Sequence, residues 1–270
     1  LVPSKGVIVR SVWDNPPKVP PLSFEGVQVW RLELSPGHDS ERLHSFYSFL
    51  SAGEKQRADG LRIPPVRDEF IAGRGLLRLL LGAAKGVGPH AIQLATEQNG
   101  KPCLASSTKG QPARLEFNVS HSDGLILIAL SRASAVGVDV EFVSEEFGDA
   151  DELTGIARES FHADEFGTIA RTPPGRGRLL AFYQAWTRRE AVAKADGRGI
   201  ASLLKYEVSS ADEFGESRVS LAGSAEHAKS SEDVDYFVQT PNVGTQHLAA
   251  VACRKPQQGL ALFDARMLRP

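Results

Sequence analysis

Residues 135–143 read AVGVDVEFV, with two acids, Asp139 and Glu141, set two positions apart among valines. Val136, Val138, Val140 and Val143 predict a strand, on which alternate side chains share a face. Both carboxylates therefore point the same way, and like charges that close repel unless something positive lies between them. A hard divalent ion such as Mg²⁺ would serve, since it is commonly held by one or two carboxylates with waters and substrate phosphates. The plainer alternative is a half-buried strand with its polar face in water. A third acid lies in WTRREAVAK, where Trp186, Glu190 and Lys194 fall at helical i, i+4, i+8 spacing and form one stripe. In isolation Glu190 and Lys194 would be an ordinary surface pair. Tyr183 and Trp186 share that stripe, so it should face protein, where a carboxylate and an ammonium need partners.

Two further groups carry positive or hydrogen-bonding chemistry. In FNVSHSDG, Ser120, His121 and Ser122 sit where a strand meets a turn and offer two hydroxyls, an imidazole and turn amides. Such a turn needs no function, but it also makes a cradle for a phosphate. Lys55, Arg74, Arg78 and Lys101 supply cations, with Arg74 placed between Gly73 and Gly75, small residues that would let a ligand approach. Each alone reads as a solvated charge; with His121 and Lys194 they would neutralise several phosphates. G-x-S-x-G, H-E-x-x-H and the P-loop are absent from the sequence. The inventory fits phosphoryl transfer, which needs positioning, charge neutralisation and a base for the attacking hydroxyl.

The elements that must position these groups follow from pattern. Residues 1–22 are proline-rich and read as an extended arm, followed by a strand in FEGVQVWRLEL. Asp39 or Ser40 would cap a helix carrying Leu43, Phe46, Tyr47 and Leu50, and Ser51 with Glu54 forms a capping-box pattern. After a break at Pro64-Pro65, RDEFIAGRGLLRLLLGAAKG predicts a long helix with an apolar face. LEFNVSHSDGLILIALS predicts two strands joined around HSDG. ARESFHADEFGTIA predicts one helix, LLAFYQAWTRREAVAKADG a second long one, and YEVSS, ESRVSLAG, DYFVQT and HLAAVACR further strands. A faint repeat, offset by roughly 110–120 residues, suits a duplicated α+β unit with any site at the seam.

Composition narrows the class. The chain has 270 residues, 41% apolar and 24% charged, enough for one large domain or two small ones. A net charge of −2 gives no reason to expect a nucleic-acid binder. Cys103 and Cys253 lie far apart and read as reduced residues of a cytoplasmic protein. No apolar run reaches membrane-spanning length, so no membrane partner is expected.

Taken in order, GKP at 100–102, FNVSHS at 117–122, VGVDVE at 136–141 and WTRREAVAKADGRGI at 186–200 resemble the motifs of the 4′-phosphopantetheinyl transferases. The resemblance is to the long, pseudo-dimeric (Sfp-type) group, in its tryptophan-bearing branch, and spans roughly Ser51 to Ile200. It implies an α+β chain of two similar subdomains, each a small, mostly antiparallel sheet on a long helix. After the arm at 1–22 these would be 23–134 and 135–270, with the active site at their interface. It further implies transfer of phosphopantetheine from coenzyme A to a serine of an apo carrier protein, releasing 3′,5′-ADP. Mg²⁺, with Mn²⁺ as the alternative, would be held by Asp139, Glu141 and Glu190. Glu190, Lys194 and His121 would be catalytic, with Glu190 the base. Lys55, Arg74, Lys101, Pro102, Ser120, His121 and Lys194 would bind coenzyme A. The chain departs from the family's usual Lys-Glu pair by carrying Arg189 before Glu190; at that position Arg189 should face away from the Glu190 stripe. Arg171, Arg176 and Arg178 are candidates for a basic rim that docks acidic carriers. The expected state is a cytoplasmic monomer. Two alternatives stand beside transfer: a Mg²⁺-dependent pyrophosphohydrolase of coenzyme A or nucleotides, and a non-catalytic coenzyme A-binding module.

Overall fold

The computed structural model describes residues 12–23, 26–35, 39–96, 100–105, 115–144, 150–197, 206–208, 216–221, 236–254 and 260–269. The chain forms two compact units, one of Trp13–Ala133 with Gln258–Pro270 and one built on Ser134–Gln257.

In the first unit, β1 (Val27–Glu33) is followed by α1 (Ser40–Phe49), α2 (Ala52–Gly60) and α3 (Pro64–Lys85). The capping box at the head of α2 is complete: Glu54 N–H donates to Ser51 Oγ (3.3 Å) and Ser51 N–H to the Glu54 carboxylate (2.9 Å). Pro64 and Pro65 do not break the chain before α3, as expected from sequence, but open it. The first helical turn needs no amide donors from its own residues, so proline fits there. Gly75 on α3 serves helix packing rather than ligand approach, because a Cβ there would lie 2.2 Å from Phe46 Cβ on α1. The apolar face of α3, with Leu76, Leu77, Leu80 and Leu81, packs against Phe46, Trp30 and Ile126 in one core. A short hairpin, β2 (Leu94–Thr96) and β3 (Pro102–Leu104), leads to β4 (Glu116–Ser122) and β5 (Leu125–Ser131). Between the last two, Asp123 (φ 46°) and Gly124 (φ 79°) both adopt positive φ, the two-residue hairpin turn that Asp-Gly favours.

The second unit runs β6 (Val136–Phe142), α4 (Ala150–Ser160), α5 (Ala163–Arg171), α6 (Arg176–Asp196), β7 (Tyr206–Val208), β8 (Glu216–Leu221), β9 (Tyr236–Gln239) and β10 (His247–Cys253). Its antiparallel sheet has the order β6-β10-β9-β8-β7. The single helix expected over ARESFHADEFGTIA is two, α4 and α5. His162 is extended (ψ 155°), and the acids Asp164 and Glu165 fill the first turn of the new helix, where its dipole favours them. Phe161, at the break, is buried with Phe182 and Trp186.

The expected second subdomain ran to residue 270, but its last strand belongs to the first unit. β11 (Leu260–Asp264) pairs in parallel with β1, completing the sheet order β11-β1-β5-β4. Phe263 stacks on Trp30 there, and Arg31 pairs with Asp264 at 2.9 Å. The described part of the proline-rich arm is fastened to the same edge. Asp14 bridges Phe263, the Gln28 Nε2 amide donates to the carbonyls of Pro20 and Pro21, and Trp13 lies under Arg31. Among the described residues, no helix is long and apolar enough to cross a membrane.

Candidate functional site

Within the second unit, the alternation of β6 puts Gly137, Asp139 and Glu141 on one face, and α6 lies on that face. Gly137 makes the close approach feasible: a Cβ there would stand 2.0 Å from the Ala191 carbonyl oxygen and 2.5 Å from the Ala195 nitrogen. Helix backbone thus rests almost directly on strand backbone, and Glu190 and Lys194 are brought over the two strand acids. Lys194 Nζ donates to Asp139 Oδ1 at 2.6 Å. Asp139 and Glu190 are buried, 2% and 8% exposed, and Glu141 is half-buried. Glu190 Oε1 is buried with no hydrogen-bond partner.

Burial and then the neighbouring Asp139 charge push the Glu190 carboxyl above its ordinary range, with Lys194 opposing. The same two causes raise Glu141, against Lys194 and a side-chain hydrogen bond from Trp186. Trp186 is itself fixed by stacking on Phe182 (5.9 Å, 17°). Burial and Glu141 raise the Tyr183 phenol as well. Three carboxylates against one ammonium leave the face with excess negative charge in partial burial, an arrangement that favours cation or proton uptake. Among the described residues, no three or more His, Cys, Asp or Glu side chains converge as they stand to hold a metal ion. The expected trio is assembled on one face, but Asp139 is turned to Lys194. The unsatisfied Glu190 oxygen and the all-oxygen donor set nevertheless fit a hard divalent cation.

Arg189 is turned the other way on α6. It is fully buried, its Nε donates to Glu165 Oε2 on α5 at 2.8 Å, its second nitrogen contacts the same carboxylate, and its guanidinium lies 5.4 Å from the Phe161 ring centre. A planar fork suits both the carboxylate and the ring, which accounts for arginine at this position.

Within the first unit, a cavity of about 190 Å³ is lined by Arg57, Glu69, Phe70, Arg74, Pro102 and His121, among others. Arg57 and Arg74 both lie over the Phe70 ring, at 4.9 and 6.0 Å from its centre. Burial lowers the Arg74 pKa, and the like charges of Arg57 and Arg78 lower it further against the pull of Glu54. Two guanidiniums held round one ring beside an imidazole form a suitable pocket for a phosphate. His121 Nδ1 lies 2.9 Å from Glu69 Oε2.

Of the residues expected to bind coenzyme A, Arg74, Pro102 and His121 line this cavity. Gly73 lines it too, so one of the two flanking glycines does open towards free space. Lys55 instead places its ammonium 5.3 Å from the Tyr47 ring centre. Lys101 is half-buried ahead of β3, and Ser120 is buried on β4 opposite Leu127; neither is in the lining. Arg78 is structural: buried, it donates to Glu54 (2.8 Å) and to the Ile92 carbonyl (2.8 Å). Sequence reasoning missed Arg57, Glu69 and Phe70. Arg57 is two positions from Lys55 on a helix, so the two point to different sides, and only the fold reveals which side meets the cavity. The rim candidates are partly engaged locally: Arg176 donates to the Thr245 carbonyl (3.1 Å), and Arg178 to that of Thr172 (2.8 Å) just past the end of α5.

Comparison with known proteins decides the class. Residues 38–133 match the family described as 4′-phosphopantetheinyl transferase, N-terminal, and residues 135–252 match the 4′-phosphopantetheinyl transferase superfamily. The chain is 34% identical to the 4′-phosphopantetheinyl transferase HetI of Nostoc sp. over 202 residues, 74% of this chain and 81% of that protein. The chain belongs to the 4′-phosphopantetheinyl transferase superfamily. Other relatives are the 4′-phosphopantetheinyl transferase psf-1 of Bacillus pumilus, 27% identical over 85% of this chain and 91% of its own length. A human L-aminoadipate-semialdehyde dehydrogenase-phosphopantetheinyl transferase is 26% identical over 69% and 61%. The α+β architecture agrees with this membership, and the protein is a phosphopantetheinyl transferase enzyme. The VGVDVE and WTRREAVAK segments of this transferase both fall inside the superfamily match, and the cavity residues inside the N-terminal one.

Proposed function

We propose that the enzyme moves 4′-phosphopantetheine from coenzyme A to a serine hydroxyl of an apo carrier protein, Mg²⁺-dependently. The observation that carries the reading is Glu190: a buried carboxylate, raised in proton affinity, with an unsatisfied oxygen beside Asp139. A base with proton affinity raised towards the working pH is suited to accept a hydroxyl proton. The carrier serine oxygen then bonds to the phosphorus bearing pantetheine, the bond from that phosphorus to the bridging oxygen breaks, and 3′,5′-ADP departs with the bridging oxygen. The serine proton goes to Glu190. Asp139, Glu141 and Glu190 would hold Mg²⁺, or Mn²⁺ in its place, which when bound supplies neutralising charge at the diphosphate. Lys194 adds a point charge there. Arg57, Arg74 and His121 suit the 3′-phosphate end, with Lys55, Lys101, Pro102 and Ser120 alongside. Free Cys103 and Cys253 support a reducing, cytoplasmic setting, and a monomer is the proposed state.

The test is incubation with coenzyme A, Mg²⁺ and a panel of apo carriers from fatty-acid, polyketide and peptide pathways, read by intact mass. A gain of about 340 Da on a carrier marks the added arm as a covalent modification. Glu190→Gln and Asp139→Ala should remove it while leaving the circular dichroism spectrum unchanged. Unchanged turnover in either variant overturns the assignment; coenzyme A cleavage without carrier modification identifies a hydrolase, and tight coenzyme A binding with no product a binding module.

A further inference from the structure

Glu69 lies in the cationic cavity yet is a carboxylate, which would repel a phosphate unless its charge were already committed. Both of its oxygens are. Oε1 accepts the Gly124 N–H at 3.1 Å, in the Asp123–Gly124 turn, and Oε2 faces His121 Nδ1 at 2.9 Å. The Glu69 side chain is 15% exposed, whereas that of His121 is 55% exposed. Burial alone would raise the Glu69 carboxyl, but His121 and the Gly124 amide outweigh it and leave its pKa lowered. One half-buried acid on α3 therefore ties together a helix, a hairpin turn and the imidazole at the end of β4. Nothing in the motifs marks it; its partner is 52 positions on in sequence.

We propose that Glu69 is a positioning residue for the transfer reaction: by engaging His121 Nδ1 it fixes the imidazole ring and leaves Nε2 as the nitrogen offered to a phosphate of the bound nucleotide. This rests on the coenzyme A reading above. A histidine whose Nδ1 donates to a carboxylate is held in one ring orientation, as in carboxylate–histidine pairs at metal sites, and its Nε2 donates to a phosphate when the ring is an imidazolium. The carboxylate also balances the imidazolium, so that a phosphate meets a preorganised donor.

Glu69→Gln keeps the length of the side chain and an oxygen for the Gly124 amide but removes the charge. In the full-length enzyme it should raise the KM for coenzyme A about tenfold, the loss of one charge-assisted hydrogen bond, with kcat within about twofold. Binding of 3′,5′-ADP, measured by calorimetry, should weaken by the same factor. In a His121→Ala background the same substitution should have no further effect, whereas a merely structural role would add to it. Wild-type-like KM and 3′,5′-ADP affinity in Glu69→Gln, or additive effects in the double variant, would overturn the proposal. Imidazole ¹⁵N spectra of the unaltered protein supply a test that needs no variant to fold. Adding 3′,5′-ADP should shift Nε2 of His121 while Nδ1 stays hydrogen-bonded, and the reverse pattern overturns the proposal. If the wild-type enzyme neither binds 3′,5′-ADP nor modifies a carrier, the coenzyme A reading fails and this inference with it. If it does both and Glu69→Gln is indistinguishable from it, Glu69 alone has been misassigned.

Discussion

The acidic face of β6 and α6 and the cationic cavity beside α3 gather like charges by opposite means. On the acidic face, rigid backbone does the work: helix lies on strand at Gly137, and carboxylates that repel one another are carried along. In the cavity, long flexible side chains converge from α2, α3 and β4 and are steadied by an aromatic ring and a counter-acid. The first arrangement holds charge where it is unfavourable without a ligand and so is poised for a cation. The second has softer walls and trades precision for reach. The lesson is that glycine has different value in the two places, and this gives the largest expected effect. Gly137→Ala would drive a methyl into the Ala191 carbonyl, which is backbone and has nowhere to retreat, and should cost about 3 kcal/mol in urea unfolding, the upper end of overpacking. Gly73→Ala meets only Ile126 Cγ2 at 3.9 Å, an ordinary contact, and should be neutral or stabilise by up to about 1 kcal/mol through helix propensity. Equal losses in the two variants would erase the distinction.

Opposite charge strategies should also give opposite pH responses. Glu141 and Glu190 bind protons more tightly in the folded chain than at their ordinary value of 4.5. In the window just above 4.5 the folded state therefore holds more protons than the unfolded state, and their contribution to stability falls as pH rises. Glu54 and Glu69 are depressed, so their stabilisation is present above 4.5 and is lost as pH falls through their folded values. Melting of the metal-free protein should accordingly show Glu190→Gln more stable than wild type by about 1 kcal/mol near pH 8, since a buried, partly unsatisfied charge is removed. Mg²⁺ should stabilise wild type more at pH 8 than near pH 5.5, and stabilise Glu190→Gln little at either. A metal-free Glu190→Gln less stable than wild type at both values would contradict the strained-carboxylate account.

What was legible in the sequence divides along the same line. Asp139 with Glu141, and Glu190 with Lys194, are pairs within single elements, so the periods of strand and helix alone put each pair on one face. The Ser51–Glu54 capping box and the Asp-Gly turn are likewise local chemistry. Contacts between elements distant in sequence were not legible. Nothing local pairs Glu69 with His121, chooses Arg57 over Lys55, or sends Leu260–Asp264 back to lie parallel to β1. The helix break at His162 was hidden because no Gly or Pro marks it in the sequence, and the burial of Phe161 beside it is a tertiary property. Gly137 read as an ordinary strand residue, since its role depends on a helix some 50 positions later; close backbone approach is a tertiary property.

The smallest expected effect tests the softness of the cavity. Phe70 touches no motif, yet it is the surface on which Arg57 and Arg74 rest. Each such contact is worth about 0.5–1 kcal/mol when partly exposed. Phe70→Leu preserves the apolar volume but removes the ring face, so both guanidiniums become free to disperse into solvent before ligand arrives. The KM for coenzyme A should rise about two- to fivefold, with kcat unchanged, because ordering the cations must then be done at the moment of binding. Arg57→Lys would keep the charge and lose the planar stacking, and should resemble Phe70→Leu rather than a charge deletion. If Phe70→Leu instead lowers kcat at constant KM, the ring is acting on the chemical step, and the cavity is no longer a flexible binding region set against a rigid acidic one.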